Sequence, residues 1–364
     1  MADAVTEQIA ALKDQDWAIR GEAAGLLGTF KDPRAVAPLV SLLRDQDRSV
    51  REAAIDALRS IGAPAVEAVG TCLTAPDLSI QESASAILAA IADERVLAPL
   101  ITALHNSDWI VRMHAAKALG RIRNAEAVEP LIPLLHDKVK AVREEAAAAL
   151  AAIGDAAISS LLKALQHEDW LVRLHAVESL GKAHSKQAVE PLLSVLFNDR
   201  DSAVREDAVR ALGEIGDPQA VDYLFTAMRE PGLRTVAVEA LGRIGDRRAV
   251  PVLIDVVTGT SPPEVTRPVA GCGDHWNEEA ITQGAAARAL GMIGDERAIP
   301  SLIAALEPTF TRAEAATALA TFGSKAIPFL LPLLNEPRDA NLLFHVRETL
   351  TSAGWRPGRR LRTV

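Results

Sequence analysis

The chain has 364 residues and carries 39 basic and 48 acidic side chains, a net charge of −9. An acidic chain repels phosphate groups, so this balance disfavours a general nucleic-acid-binding role, and we expect no nucleic-acid partner. Apolar residues make up 49% of the chain, whereas aromatic residues make up only 4%. The core is therefore built from small aliphatic side chains, which suits closely packed helices.

Cysteine usage and the start of the chain bear on its location. The chain has two cysteines, Cys72 and Cys272, far apart in the sequence, which argues against a disulfide framework and fits a reducing cytoplasm. The first residues show no basic region followed by an apolar run, and no stretch approaches ~18 uncharged apolar residues. We expect a cytoplasmic protein without a membrane partner.

Two short sequence patterns alternate along the chain with a period of about 31 residues. The first resembles Ala-Val-x-Pro-Leu-Ile and occurs at 35–40, 96–101, 127–132, 188–193, 249–254 and 298–303. The second is Ala-Leu-Gly-x-Ile-Gly-Asp, whole or eroded, at 27–28, 58–62, 119–120, 150–155, 180–181, 212–217, 241–246 and 290–295. Each repeat is predicted to consist of two helices, A and B in chain order.

Residues between these patterns mark the predicted helix ends. Asp32-Pro33 and Asp217-Pro218 supply an N-cap oxygen and a proline at the first helical position, so helix A is predicted to begin there. Four aspartates stand three residues before a valine and are predicted to open helix B: Asp47, Asp108, Asp169 and Asp201. Six glycines are predicted to end helices at positive φ: Gly62, Gly154, Gly216, Gly245, Gly294 and Gly323.

One face of helix B is apolar. At 100° per residue from Val111, four residues fall within about 80° of it: Ala115, Ala118, Leu119 and Ile122. One helix pair cannot bury such a stripe, so the pairs are predicted to stack. The predicted fold is all-α, a right-handed α-α superhelix (HEAT-like solenoid) of about eleven two-helix repeats over residues 1–354. A basic C-terminal tail, residues 355–364, is expected to be flexible.

The repeat resembles the short HEAT-like repeats of the phycobilisome-lyase type, with A-V-x-P-L-I-x-L-L followed by D-x-x-V-R-x-x-A-A-x-A-L-G-x-I-G-D. The resemblance implies that the B helices line the inner face. It also implies that the arginine after the valine ties adjacent repeats together: Arg51, Arg112, Arg143, Arg173 and Arg205. Gln81 breaks this pattern, and the repeat at 218–246 is taken to lack the Val-Arg pair, which predicts a weak point there.

Two segments depart from the consensus, 108–114 and 169–175. Each carries a tryptophan on the first turn of helix B, followed by a large apolar residue where other repeats carry glutamate, and this apolar residue is expected to face solvent. Tryptophan that packing does not require is a typical binding anchor. The predicted recognition surface comprises Trp109, Met113, His114, Trp170, Leu174 and His175, with Trp17 repeating the pattern in the first repeat. The alternative is that each tryptophan only folds over a neighbouring loop.

Metal binding by His114 and His175 is not expected, because two repeats separate them by roughly 20 Å while metal–nitrogen bonds are about 2 Å. Deoxyhypusine hydroxylase, a HEAT-like metalloenzyme, carries iron on His-Glu pairs. Here alanines follow both histidines, and the His167-Glu168 pair is predicted in a turn, so that activity is not expected.

The ninth repeat is roughly 18 residues longer than the others, which predicts an insertion loop at 258–277 between its helices, with Asn277 capping helix B. The loop carries Cys272, Asp274, His275 and Trp276. A partner-contacting loop is favoured for this cluster over a metal site, a nucleophilic cysteine, or a disordered or lid-like segment.

The leading hypothesis is a scaffold that grips a partner protein on its concave helix-B face, with no catalytic residues and no cofactor. No G-x-S-x-G motif, phosphate loop or zinc pattern occurs in the sequence, so an enzyme is not favoured. The alternative from the resemblance is a bilin lyase subunit or chromophore-handling factor, with a linear tetrapyrrole as ligand. A HEAT-like DNA-repair glycosylase would need a cationic groove, which the net charge disfavours.

Overall fold

The computed structural model describes residues 4–260, 275–335 and 339–356, and it divides into two compact units, residues 1–183 and 184–364. Within the described residues every regular element is an α-helix or a short 3-10 turn, and the α-helices alternate as eleven A–B pairs. The fold class is the predicted one, an all-α HEAT-like solenoid.

The first unit contains six pairs. Its A helices are α1 (Ala4–Ala11), α3 (Val36–Ser41), α5 (Val66–Thr71), α7 (Leu97–Ala103), α9 (Val128–Leu131) and α11 (Asp155–Ala164). Its B helices are α2 (Trp17–Phe30), α4 (Arg48–Ile61), α6 (Leu78–Ile91), α8 (Trp109–Ile122), α10 (Lys140–Ile153) and α12 (Trp170–Lys182).

The second unit contains five pairs. Its A helices are α13 (Val189–Asn198), α15 (Val221–Ala227), α17 (Val250–Val257), α19 (Ile299–Ala304) and α21 (Ile327–Leu330). Its B helices are α14 (Ser202–Ile215), α16 (Pro231–Ile244), α18 (His275–Ile293), α20 (Arg312–Thr321) and α22 (Ala340–Ser352).

The helix starts follow the predicted caps. All four aspartates predicted to open B helices accept a hydrogen bond from the backbone N–H two residues later. Asp32 and Asp217 also act as caps, but of the 3-10 turns Pro33–Ala35 and Pro218–Ala220, which lead into α3 and α15. A helices therefore begin more tightly wound than predicted.

The helix ends follow the prediction in part. All six predicted glycines have positive φ, for example 73° at Gly62 and 72° at Gly216. Three B helices of the first unit end on other residues that also have positive φ: Lys31, Ala92 and Arg123, with φ of 53°, 53° and 57°. Their side chains give no sign of this conformation, so the sequence patterns missed them.

The apolar stripe of α8 forms part of the core. Val111, Ala115, Ala118 and Leu119 have no solvent exposure, and Ile122 is half-buried. The prediction of this stripe is confirmed.

Neighbouring B helices approach most closely at a glycine that the patterns include but whose role they do not reveal. A Cβ atom on Gly120 of α8 would lie 2.7 Å from the Cα of Ala149 in α10, closer than real Cβ contacts. The same contact recurs at Gly28–Ala57, Gly213–Ala240, Gly242–Ala289 and Gly291–Ala318. Glycine is needed at these positions because any side chain would push the two backbones apart.

The arginine that follows the valine links adjacent repeats at Arg112, Arg143 and Arg205, as the resemblance implies. Arg51 instead donates to the carbonyl oxygens of Asp45 and Gln46 in its own repeat. Arg112 donates from Nε and Nη2 to both carboxylate oxygens of Asp137 in the next repeat, at 2.7 and 2.9 Å. Its Nη1 donates to the carbonyl oxygens of Asn106 and Ser107. Arg20 makes the same set of bonds with Asp45, and Arg205 pairs with Glu230 at 2.7 Å.

The link at Gln81 is uncharged rather than missing. The Gln81 amide donates to the carbonyl oxygen of Ala75 at 2.6 Å and accepts from the Asn106 amide at 2.7 Å. Gln81 and Asn106 thus stand where Arg20 and Asp45 stand between the first two repeats. A pair of amide side chains replaces the ion pair. The link between these repeats, which was predicted to be broken, is therefore kept as an uncharged hydrogen bond.

The repeat at 218–246 does not lack its arginine, and that prediction is wrong. Helix α16 places Leu233 and Arg234 at the Val-Arg position, and Arg234 Nη1 donates to Glu279 Oε2 at 2.8 Å. The pair escaped notice because leucine replaces valine.

The Arg234 link is nevertheless incompletely paired. Its side chain is 6% exposed, and within the described structure Nε and Nη2 have no hydrogen-bond partner. The loop before α16 spans only 228–230, whereas the loop before α8 spans 104–108 and provides two carbonyl acceptors to Arg112. The shorter loop explains the missing acceptors.

Candidate partner-binding surface

Three B helices of the first unit begin with an exposed tryptophan. Trp17, Trp109 and Trp170 each follow a capping aspartate whose carboxylate accepts the N–H of the second helical residue, at 2.9, 2.7 and 2.8 Å. The cap fixes the first helical turn and leaves the indole outside the core. Their exposed fractions are 53%, 41% and 43%.

The same position in the other B helices of this unit holds Arg48, Leu78 and Lys140. Leu78 is 47% exposed and adds an apolar side chain to the row, although the sequence patterns did not single it out. Its position after the capping Asp77 is the signal that could have found it. Since charged and apolar residues alike occupy this position, helix packing does not require tryptophan here.

Met113 and Leu174 lie one helical turn beyond Trp109 and Trp170, on the same face of α8 and α12. Both are half-buried, so the expectation that they face solvent holds only in part. Each tryptophan therefore has a partly accessible apolar neighbour on its own helix.

His114 is half-buried at the edge of this row. Its Nδ1 lies 3.2 Å from Ser85 Oγ of α6. Burial, and to a smaller extent the charges of Lys117 and Arg59, lowers the pKa of His114. The ring is therefore neutral near pH 7, which favours a packing role over an ionic one.

His175 is only 6% exposed, so its assignment to the recognition surface is wrong. Arg143 Nε of α10 donates to its Nε2 at 3.3 Å, and Nδ1 lies 2.9 Å from Glu178. Because an arginine only donates, Nε2 accepts this hydrogen bond and Nδ1 is the ring nitrogen that donates to Glu178. His175 thus links α10 to α12.

The carboxylate of Glu178 ends this chain of hydrogen bonds. The hydrogen bond from His175, supported by Lys182 at 2.6 Å and opposed by burial, lowers the pKa of Glu178 to about 2. Glu178 is therefore ionised at all pH values near neutrality. The network takes the place of a close glycine–alanine contact, since none joins α10 and α12 among the described residues.

The predicted insertion cluster falls largely outside the described residues. Cys272 and Asp274 lie outside them, and for His275 and Trp276 the structure describes the backbone alone, within α18. Because α18 begins at His275, Asn277 lies inside the helix, and its predicted role as a cap is wrong. Glu278 lies in the first turn of α18, where its negative charge interacts favourably with the helix dipole. This interaction is consistent with a helix that begins before the predicted start.

Two further sequence predictions concern metals and membranes. Across residues 4–260, 275–335 and 339–356, no three His, Cys, Asp or Glu side chains are grouped to hold a metal ion. In the same ranges no single helix has the length and apolarity to cross a bilayer. A pair bent by 114°, Arg312–Thr321 with Gly323–Asn335, meets those criteria jointly on length and composition only.

Comparison with protein families identifies the class. A family model described as HEAT repeats matches residues 6–87, 66–151, 128–196, 158–235, 189–271 and 277–351. These matches span most of the chain, which therefore belongs to the HEAT-repeat family. A search of curated protein sequences finds no match.

Comparison with solved structures finds similar chains, of which Kap95p shares the fold. Yeast importin-β, Kap95p, is similar with a TM-score of 0.64 and 15% identity, over 97% of this chain and 57% of that chain. An engineered protein is 24% identical over 97% of this chain and 99% of that chain, with a TM-score of 0.33. The phycocyanin lyase complex of CpcE and CpcF from Nostoc is 22% identical over 65% of this chain and 95% of that chain, with a TM-score of 0.35.

Proposed function

We propose that this protein is a binding scaffold that captures a partner protein on the B-helix face of residues 17–182. The observation that carries the proposal is the row of exposed indoles at Trp17, Trp109 and Trp170. They occupy the first position of the B helix, where other repeats carry residues of different chemistry. Large aromatic side chains that do not pack in the core are typical anchors of protein interfaces. In HEAT-repeat solenoids the stacked helices present extended binding surfaces, which suits such anchors.

Structural neighbours support a protein partner by analogy of fold. Kap95p binds RanGDP in one neighbouring structure and forms a complex with Nup1 in another. The present chain covers 56% of the first of these and 52% of the second, so the analogy concerns the mode of binding and not the partner. We propose a cytoplasmic location for the scaffold, which fractionation of cells tests directly.

The test is comparative capture from an extract of the source organism. We would immobilise the wild type, the double variant Trp109→Ala/Trp170→Ala, and the control Phe197→Ala/Tyr223→Ala. The control removes an equally exposed aromatic pair from A helices, with ring centroids 6.3 Å apart. At least one protein should be retained by wild type and control, and its affinity for the tryptophan variant should fall roughly 30-fold, about 2 kcal/mol.

Circular dichroism provides the folding control, since all three proteins should keep the same helical content. If the tryptophan variant and the wild type retain the same proteins to the same extent, the partner-binding face lies elsewhere.

Bilin handling is the alternative that the phycobilisome-lyase type of repeat implies, and the exposed indoles of Trp109 and Trp170 could stack on a flat chromophore. Mixing the purified protein with a linear tetrapyrrole tests it. An absorption shift that the tryptophan variant abolishes would favour this alternative, and an unchanged spectrum would count against it.

A further inference from the structure

A cavity of about 830 Å³ lies in the first unit between the loop after α1 and the loop after α3. Cavities of this size commonly hold small ligands or the end of a peptide. Five apolar residues contribute to its lining: Ile9, Leu12, Ala37, Pro38 and Leu42. The cavity is thus partly apolar and open to a ligand from the loop side.

The charged side chains around this cavity differ in how many hydrogen bonds and ion pairs they form. The Asp45 carboxylate receives two hydrogen bonds from Arg20, both at 2.8 Å, and Asp14 accepts the backbone N–H of Asp16. Lys13 and Arg44 are exposed, and neither forms an ion pair or a side-chain hydrogen bond with any residue that the structure describes. Two cations with spare donors therefore stand beside two carboxylates that are already engaged.

Uncharged polar groups complete the lining. The side chains of Gln15 and Gln46 border the cavity, and each can donate and accept hydrogen bonds. A peptide backbone offers matching donors and acceptors, whereas the alkyl chain of a fatty acid offers none. The mixture of apolar wall, free cations and amides therefore fits a peptide end better than a lipid.

We propose that this cavity binds the C-terminal residue of a peptide or protein, with an apolar side chain against Ile9 and Pro38, which are only half-buried, and the terminal carboxylate paired with Lys13 and Arg44. The site does not include Trp109 or Trp170, the residues that the test of the proposed function replaces. A carboxylate bound by both cations would form charge-assisted hydrogen bonds, which are stronger than neutral ones.

The test uses a hexapeptide ending in leucine and labelled with fluorescein at its N-terminus, prepared with a free carboxylate and as the C-terminal amide. Fluorescence anisotropy with the full chain should show saturable binding of the free acid and at least about tenfold weaker binding of the amide. The double variant Lys13→Ala/Arg44→Ala should weaken binding of the free acid by a similar factor. Arg48→Ala is the matched control, because Arg48 is an exposed arginine that pairs with Glu52 and does not line the cavity.

Equal affinity for acid and amide, or unchanged affinity in the double variant, would overturn the proposal. Loss of binding in Arg48→Ala to the same extent would also overturn it, since general charge would then explain the affinity. Decanoate has a carboxylate and an apolar chain without peptide groups. It should bind more weakly than the peptide, and tighter binding of decanoate would refute a peptide ligand.

Discussion

The B helices of the two units share one scaffold but differ at their ends. In the first unit, tryptophan begins α2, α8 and α12, and three helices end at positive φ on Lys31, Ala92 and Arg123. In the second unit, α14 and α16 begin with serine and proline, and Gly216, Gly245 and Gly294 occupy the positive-φ position.

This difference separates what the fold needs from what it tolerates. Both units keep the glycine–alanine contacts between B helices and the arginine links between repeats. The first helical residue varies among the B helices α2 to α16, where its side chain is exposed, whereas Arg312 at the start of α20 is buried. Packing therefore does not explain the tryptophans of the first unit, and a functional role would. The non-glycine helix ends of this unit, in contrast, cost conformational free energy.

The largest effect is expected at the shared glycine–alanine contact. Gly120→Ala places a Cβ 2.7 Å from the Ala149 backbone and should destabilise the protein by about 2–4 kcal/mol, as should Gly213→Ala in the second unit. Gly25→Ala is the matched control, because nothing lies within 4 Å of its Cβ and helix propensity favours alanine by about 0.5–1 kcal/mol. Urea unfolding measures all three, and a Gly120→Ala protein as stable as wild type would contradict the close contact.

The arginine links should respond with opposite signs in the two units. Arg112→Met removes four hydrogen bonds and leaves Asp137 without its ion-pair partner, which should cost about 2–3 kcal/mol. Arg234→Met removes two buried, unpaired donor atoms, and its partner Glu279 keeps access to solvent, so we expect about 1 kcal/mol of stabilisation. Equal losses of unfolding free energy in the two variants would show that Arg234 is as well satisfied as Arg112.

The link between α10 and α12 should depend on pH. The folded protein lowers the pKa of Glu178 to about 2, so its stabilising effect is complete above the ordinary glutamate pKa and declines as the pH falls toward 2. Glu178→Gln should cost about 1–2 kcal/mol at pH 7, a value reduced for partial exposure of the carboxylate. Denaturant unfolding at pH 7, 5 and 3 should show this difference shrinking with acid, and a constant difference would argue against a charge effect.

Alanine and glycine can be exchanged at the positive-φ helix ends of the two units. Ala92→Gly should stabilise the first unit by about 1 kcal/mol, because glycine adopts a φ of 53° without strain. Gly245→Ala, at a φ of 74°, should destabilise the second unit by about 1 kcal/mol. Thermal unfolding would reveal the two shifts, and shifts of the same sign would contradict this account of the helix ends.

The smallest effect is expected when a tryptophan is moved into the second unit. Ser202 is the exposed first residue of α14, and the carboxylate of Asp201 caps the helix by accepting the backbone N–H of Ala203. Ser202→Trp should therefore change the unfolding free energy by less than about 0.5 kcal/mol. A larger loss would show that this position is not free, and the argument for a functional role of Trp109 and Trp170 would weaken.

How far the site could be predicted depends on whether its geometry is local. The exposed positions of Trp109 and Trp170 follow from the aspartate before each, because a cap fixes the first turn whatever the rest of the chain does. The burial of His175 depends on Arg143, which lies 32 residues earlier and approaches it only when α10 packs against α12. Sequence spacing placed His175 beside Leu174, but it could not show which residues of the next helix cover it.

By itself the sequence determined the alternation of A and B helices, their aspartate caps, their glycine ends and the alanine-rich stripe, because each of these depends on hydrogen bonds and periodicity within one or two turns. Tertiary structure alone decided which glycines touch a neighbouring backbone, which arginines find a full set of acceptors, and which loops enclose the cavity near Lys13 and Arg44. These features depend on distances between helices from different repeats. Such distances are fixed only when neighbouring repeats have packed against each other.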